Sequence, residues 1–277
     1  MTLPTFLGIG VPRGGTTWLH TLLSSHPDVY MPTIRKEIRF FEKYYERGFG
    51  WYSTFFCPPK HAARYQAIGE ISTQYYDCEE CPKRIFTTLP DSKLIIMLRH
   101  PINRAYSHYG FRVQRSNYRG SFEDFLAARP RALERGFYSR YLKRYLRYFD
   151  RTRILALIFE DAVIDILQTK TTLADFLAIA VDKFPPSAGS GKVNPSSVPI
   201  FQFLYGCVAM TGRQLRKWHL EPVVDFVMRT SIPRILAKGD SLPPLDEELK
   251  QRLSQQYQDE FDELEQCMQI DVSCWRK

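Results

Sequence analysis

The stretch from Phe6 to Leu23 constrains the fold of this chain more than any other. An apolar run, Phe6-Leu-Gly-Ile-Gly-Val11, breaks into Pro12-Arg13-Gly14-Gly15 and continues as Thr16-Thr17-Trp18-Leu19-His20-Thr21-Leu22-Leu23. Leu19, Leu22 and Leu23 fall at i, i+3 and i+4, so the pattern predicts a buried strand, a glycine turn and an amphipathic helix. Glycines let successive N–H groups point inward, and the start of a helix adds partial positive charge. The expected product is a cradle for an anion. Gly10 and Gly15 stand at P-loop separation with a hydroxyl after them, but Thr16 takes the place of the P-loop lysine. The nearest cation, Arg13, precedes the glycine pair. An ATP or GTP site also wants an acidic strand end for magnesium, which leaves a P-loop kinase or NTPase as the weaker reading.

A chain of 277 residues that is 44% hydrophobic, with 19 Phe and 16 Tyr, buries a substantial core. We read residues 1–277 as a single domain. The formal charge of +8 favours an anionic ligand, an acidic polymer or a membrane surface. The arginines are dispersed, so nucleic acid has no specific support. No window approaches the roughly 20 apolar residues of a membrane span. Met1-Thr-Leu-Pro-Thr5 runs straight into the first strand, which predicts no signal peptide and a cytoplasmic location. Six scattered cysteines argue against a disulfide framework. Cys78-Glu-Glu-Cys81 is a lone CxxC without a second pair at zinc spacing, so no metal is expected.

Further along, Val29-Tyr30-Met31 reads as a short extended piece, and Tyr65 to Ser72 as a strand ending in polar residues. Cys81 to Leu89 is expected to be helical. Lys93-Leu-Ile-Ile-Met-Leu-Arg99 has the unbroken apolar run of a parallel strand covered on both faces. Pro101 suits the first turn of a helix running to about Asn117. Helices are expected at Phe122–Ala128 and Tyr138–Phe149, a buried strand at Ile154–Phe159, and a helix through Leu173–Ile179. Pro185 to Gly191 is a loop by composition. Helices are then predicted around Ile200–Trp218, Pro222–Ile235 and Asp246–Met268, the last with one stripe of Leu249, Leu253, Tyr257, Phe261, Leu264 and Met268. Alternating strands and helices predict an α/β fold: a P-loop-like, three-layer arrangement of a central parallel sheet flanked by helices, with a helical C-terminal third.

Ligands of such sheets sit at the carboxyl ends of the strands. Four features converge there: Arg13–Trp18, Glu70-Ile-Ser-Thr73, Arg99-His100-Pro101 with Ser107 two turns on, and Glu160-Asp161. A cradle plus a separate arginine and hydroxyl fits a ligand with two anionic groups rather than one triphosphate.

On these residues the chain resembles the sulfotransferases that use 3′-phosphoadenosine 5′-phosphosulfate (PAPS), most closely the glycan (heparan sulfate-type) and bacterial enzymes. Arg13-Gly-Gly-Thr-Thr-Trp18 is similar to the family's 5′-phosphosulfate loop. Arg99 through Ser107 is similar to its 3′-phosphate motif, an arginine at a strand end and a serine eight residues later. Ser190-Gly-Lys-Val-Asn-Pro195 resembles a later loop over the same phosphate, with Gly191 and Lys192 in the glycine and basic positions. Lys36-Glu-Ile-Arg-Phe-Phe41 with Gly48-Phe-Gly-Trp-Tyr52 resembles the Lys-Glu-x-x-Phe-Phe and Gly-x-x-Trp-Tyr segment of the glycan enzymes. The likeness runs to the Leu264…Trp275 segment.

The resemblance implies a PAPS-dependent sulfotransferase that needs no metal. Its sulfuryl group would go to a hydroxyl, or secondarily an amine, of a carbohydrate or other polar acceptor. Implied nucleotide contacts are Arg13, Gly14, Gly15, Thr16, Thr17, Trp18 (by stacking on adenine), Arg99, Ser107, Gly191 and Lys192. Glu37 is the implied base, with Glu70 its rival; His26 and His100, each beside a proline, fit structural hydrogen bonds. Two departures stand out. The loop lysine is Arg13, which keeps the charge but effectively loses proton donation, and the lysine that follows the second-strand glutamate in glycan enzymes is Ile71. The acceptor pocket is expected from the Lys36–Tyr52 region and the helices between Arg112 and Arg144. A catalytically idle anion- or glycan-binding module is the reading from another class.

Overall fold

A computed structural model of the chain describes residues 1–116, 118–191, 242 and 244–276. They divide into two compact units, one of residues 1–100, 137–191 and 256–276, the other of residues 101–116, 118–136, 242 and 244–255.

The first unit holds a five-stranded sheet of β1 (Phe6–Gly10), β2 (Val29–Tyr30), β3 (Ala67–Ile71), β4 (Lys93–Leu98) and β5 (Ile154–Ile158), all pairs parallel, in the order β2-β3-β1-β4-β5. Every residue of β1 and β3 is buried, as strands covered on both faces require. Its helices are α1 (Thr16–Ser24), α2 (Gly48–Ser53), α3 (Pro59–Ala62) and α4 (Cys81–Thr88). The second unit begins with α5 (Pro101–Ser116), α6 (Phe122–Ala128) and α7 (Arg131–Glu134). Back in the first unit come α8 (Tyr138–Leu146), α9 (Phe159–Ile164) and α10 (Ile166–Leu177). Then follow α11 (Glu247–Ser254) in the second and α12 (Gln258–Met268) in the first.

The apolar pattern accounts for most of this. Trp18, Leu19, Leu22 and Leu23 of α1 and Leu173, Ala174 and Leu177 of α10 pack with Phe6, Ile71, Ile95, Met97 and Leu157 into one core. Sealing Leu19, Leu22 or Leu23 away from water is worth about 1.5–3 kcal/mol each. In the second unit Arg104 is fully buried, and its guanidinium donates to the carbonyl of Ala132. Ser121 caps α6 through a reciprocal capping box with Asp124.

Three expectations are corrected. The helix expected through Leu173–Ile179 is the second half of α10, which begins earlier, at Ile166, where Asp165 caps it by accepting from the Gln168 N–H at 2.8 Å, and ends at Leu177. Glu160 and Asp161 lie in the first turn of α9. The helix expected over Asp246–Met268 breaks into α11, a 3-10 turn at Gln255–Tyr257 and α12. Of its apolar stripe only Tyr257, Phe261, Leu264 and Met268 are buried. The helices predicted around 200–218 and 222–235, and hence most of the helical C-terminal third, lie outside the described residues. No helix among the described residues is long and apolar enough to cross a membrane.

Candidate active site

The strand order places β1 at the centre, with β3 and β4 on either side. The chain turns to one side after β1 and crosses to the other before β4, so the β1–β4 gap is the switch point where such sheets open a crevice. At that gap the loop after β1 is stitched to β4: the Val11 N–H donates to the Met97 carbonyl at 3.0 Å, and the Gly14 N–H to the Val11 carbonyl at 3.0 Å. Gly15 has φ 96°, and a β-carbon there would fall 2.1 Å from the Phe159 ring, so both conformation and space require glycine. Thr16 then begins α1 with no side-chain cap and no acidic residue in its first turn. An uncapped start leaves N–H donors and a partial positive charge at one point.

Three cations gather there. Arg13 lies in the loop with φ 70°. Arg99, immediately after β4, donates from Nη1 to the Arg13 carbonyl at 3.4 Å, and its guanidinium lies 5.2 Å from the centre of the Phe159 ring. The Tyr138 hydroxyl holds the Arg99 carbonyl at 2.6 Å. The third cation is Lys36, which spacing did not single out. Its Nζ donates to Thr17 Oγ1 at 2.8 Å and lies 3.4 Å from Thr16 Oγ1. Burial lowers the Lys36 pKa to about 8, the Arg13 charge adds to the lowering, and Glu37 opposes it. His20, one turn into α1, is pushed down to about 4 by burial and by Lys36, so it is neutral at physiological pH.

Glu37 stands beside Lys36, half-buried, and its Oε1 accepts from the Thr73 hydroxyl at 3.2 Å. Its rival is placed quite differently. Glu70 is fully buried and accepts from Tyr75 at 2.7 Å, Ser72 at 2.7 Å and Tyr52 at 3.2 Å. Burial raises its pKa to about 7 against the pull of those three hydroxyls. Ser72 in turn accepts the Arg39 N–H at 2.9 Å, so Glu70 braces the end of the segment that carries Lys36 and Glu37. Phe40 and Phe41 are wholly buried, Phe40 stacking on Tyr52 at 4.2 Å. The two halves of the Lys36–Tyr52 segment thereby pack as one body.

The remaining predicted residues fall as follows. Trp18 is corrected from adenine platform to core: it is 5% exposed among α1 and α10, and its Nε1 donates to the Gly189 carbonyl at 2.8 Å. That bond anchors the loop containing Gly191, which is exposed; Lys192 lies outside the described residues. Ser107 is half-buried on α5, in the second unit. His26 accepts the Asp28 N–H at Nδ1 and therefore donates from Nε2 to the Ala180 carbonyl at 2.8 Å. His100 offers its backbone N–H to Glu160 at 3.0 Å, and the other oxygen of Glu160 accepts from Trp275 Nε1 at 3.1 Å. Both ring nitrogens of His26 are thereby tied into the fold. In the CxxC turn, Cys78 Sγ accepts the Cys81 N–H at 3.2 Å.

Beside Glu37 the surface is basic and aromatic. Arg35, Lys43 and Arg47 lie 5.5, 4.8 and 4.9 Å from the centre of the Tyr44 ring, and Arg47 also lies 5.0 Å from Trp51.

Comparison with known proteins follows the same lines. The sulfotransferase domain family matches residues 3–189. The human bifunctional heparan sulfate N-deacetylase/N-sulfotransferase 3 is 34% identical over 174 residues, covering 55% of this chain and 20% of that protein. The human heparan sulfate glucosamine 3-O-sulfotransferase 6 is 32% identical over 185 residues, covering 64% of this chain and 52% of its relative. The chain thus spans about half or less of these relatives. Among solved structures, a sulfotransferase from Alicyclobacillus acidocaldarius superposes with a TM-score of 0.71 at 23% identity over 100% of both chains. A mouse sulfotransferase crystallised with 3′-phosphoadenosine 5′-phosphate (PAP) gives 0.50 at 14% identity over 96% of this chain and 88% of that one.

Proposed function

This chain belongs to the sulfotransferase family and is an enzyme, and from that premise we propose that it moves a sulfuryl group from PAPS to a hydroxyl, or secondarily an amine, of an anionic carbohydrate. The observation that carries the reading is the meeting of Arg13, Arg99 and the uncapped start of α1 at one switch point. PAPS offers two anionic groups, and these residues fit them. Arg13, Thr16, Thr17 and the N–H groups of the loop face the phosphosulfate end. Arg99 faces the 3′-phosphate.

Sulfuryl transfer, like phosphoryl transfer, asks mainly for alignment and for stabilisation of charge on the departing phosphate. Arg13 neutralises that charge. Glu37 takes the acceptor's proton, its carboxylate aimed by Thr73. Glu70 is unsuited to that task, because three hydroxyls and complete burial close it off. The cluster of Arg35, Lys43, Arg47, Tyr44 and Trp51 supports an anionic sugar as acceptor, since arginines pair with acidic groups and rings stack on sugar faces. The names of the heparan sulfate relatives support the same class.

Two measurements test the reading. A screen of sulfated, carboxylated and neutral saccharides with radiolabelled PAPS should label an anionic glycan. In calorimetry, Arg99→Ala should weaken PAP roughly 10- to 100-fold, the loss of a charge-assisted contact. Glu37→Gln should keep PAP affinity and lower turnover by about 10²–10⁴-fold. Unchanged PAP affinity in Arg99→Ala would overturn the 3′-phosphate assignment, and stabilisation by ATP with magnesium but not by PAP would turn the reading toward a kinase.

A further inference from the structure

The loop after β1 contains an arginine where proton transfer to the leaving group would call for a lysine. A guanidinium neutralises charge but does not release its proton in a protein. The structure brings in an ammonium from elsewhere. Lys36 reaches across from the segment after β2 and bonds the two hydroxyls that open α1, Thr17 at 2.8 Å and Thr16 at 3.4 Å.

This is not a surface lysine caught in passing. The adjoining segment is pinned at three points: Glu37 accepts from Thr73, Ile38 is wholly buried, and the Arg39 N–H donates to Ser72, which is itself held by Glu70. With the backbone fixed, the lysine stem has a defined direction and its head a defined partner. The charged and titratable groups around it are Arg13 in the loop, Glu37 beside it and His20 on α1.

We propose that Lys36 is the proton donor to the phosphate oxygen that the sulfuryl group leaves, delivered across the loop rather than from within it. The inference rests on PAPS as donor. The acceptor's O–H gives its proton to Glu37 as its oxygen bonds the sulfur. The bond from sulfur to the bridging phosphate oxygen breaks, its electron pair stays on that oxygen, and the Lys36 ammonium supplies the proton there. Exchange with water then returns the proton from Glu37 and reprotonates Lys36, so nothing is consumed but PAPS and acceptor. A pKa of about 8 suits the task, because the group is an ammonium at neutral pH yet gives up its proton more readily than an ordinary lysine.

The test compares wild type, Lys36→Arg and Lys36→Met without needing the natural acceptor. PAP affinity is measured by calorimetry, and release of radiolabelled sulfate from PAPS to water by single turnover, both from pH 6.5 to 9.5. In the wild type, release should fall as pH rises through about 8, and PAP should bind more weakly over the same interval. Lys36→Arg should bind PAP within a few-fold of wild type, with an affinity no longer dependent on pH across that interval. It should release sulfate about 10²–10⁴-fold more slowly, without the alkaline fall. Lys36→Met should lose PAP affinity as well. Wild-type release by Lys36→Arg, or the same alkaline fall in it, would overturn the proposal while leaving PAPS as donor. Wild-type protein that does not bind PAP would overturn the donor reading itself. Thermal unfolding of Lys36→Arg, which keeps the charge, separates a lost proton from a lost fold.

Discussion

At the scale of single residues, the site turns on what burial does to chemically similar groups. Glu37 and Glu70 are both glutamates near one sheet edge, but Glu37 meets one hydroxyl at a half-exposed position and Glu70 meets three with no exposure at all. Burial raises the Glu70 pKa to about 7 in the folded chain against about 4.5 when unfolded. The folded state therefore holds a proton that the unfolded state has already released, and stability falls as pH rises from about 4.5 to about 7. The fall amounts to about 3 kcal/mol from this group. Urea unfolding of wild type and Glu70→Gln should show the wild type losing ground to the variant across that interval; parallel curves would place the buried proton elsewhere. Sequence made both carboxylates candidates, because position along a strand does not say which face or depth a side chain takes. Lys36 was harder still. A lysine beside a motif glutamate gives no sign that four methylenes will carry its head to hydroxyls 19 and 20 residues earlier.

At the scale of elements, the strand-turn-helix unit was legible because two periodicities, one of strand and one of helix, meet at glycines. The structure adds why Gly15 is fixed: the start of α1 presses on Phe159 at the head of α9. Gly15→Ala demands a left-handed alanine and a displaced ring, a cost of about 2–4 kcal/mol. Its melting temperature should fall, and PAP affinity with it, since the displaced N–H groups belong to the anion cradle. An alanine variant with both unchanged would show that the turn can relax. Less legible was the segment from Lys36 to Ser53. Arg39 has φ 62°, and a π-helical turn at Phe40–Tyr44 follows. No local propensity predicts such a turn; contacts to Tyr52, Tyr75 and Ser72 from other segments impose it. The split of α11 from α12 failed for the same reason, since one apolar stripe can serve two helices with a 3-10 turn between them.

At the scale of the whole molecule, unbroken apolar strands between helices were enough to foresee a parallel sheet. The strand order was not, because pairing depends on crossovers that leave no local trace in the residues. Net charge is a property of this scale too. A formal +8 with Arg35, Lys43 and Arg47 grouped on one face would draw the anionic acceptor proposed above from a distance, and mobile ions would screen that pull over about 10 Å at 0.1 M salt. The KM for a sulfated saccharide should therefore rise several-fold between about 50 and 300 mM salt, with kcat little changed. A salt-independent KM would point to an uncharged acceptor. One carboxylate, finally, couples distant parts of the sequence. Glu160 holds the backbone beside Arg99 with one oxygen and the indole of Trp275 with the other. Positions 160 and 275 are therefore not free to drift independently as the sequence diverges: a lineage that changes the tryptophan must also find a new way to hold the carboxylate that steadies the backbone beside Arg99.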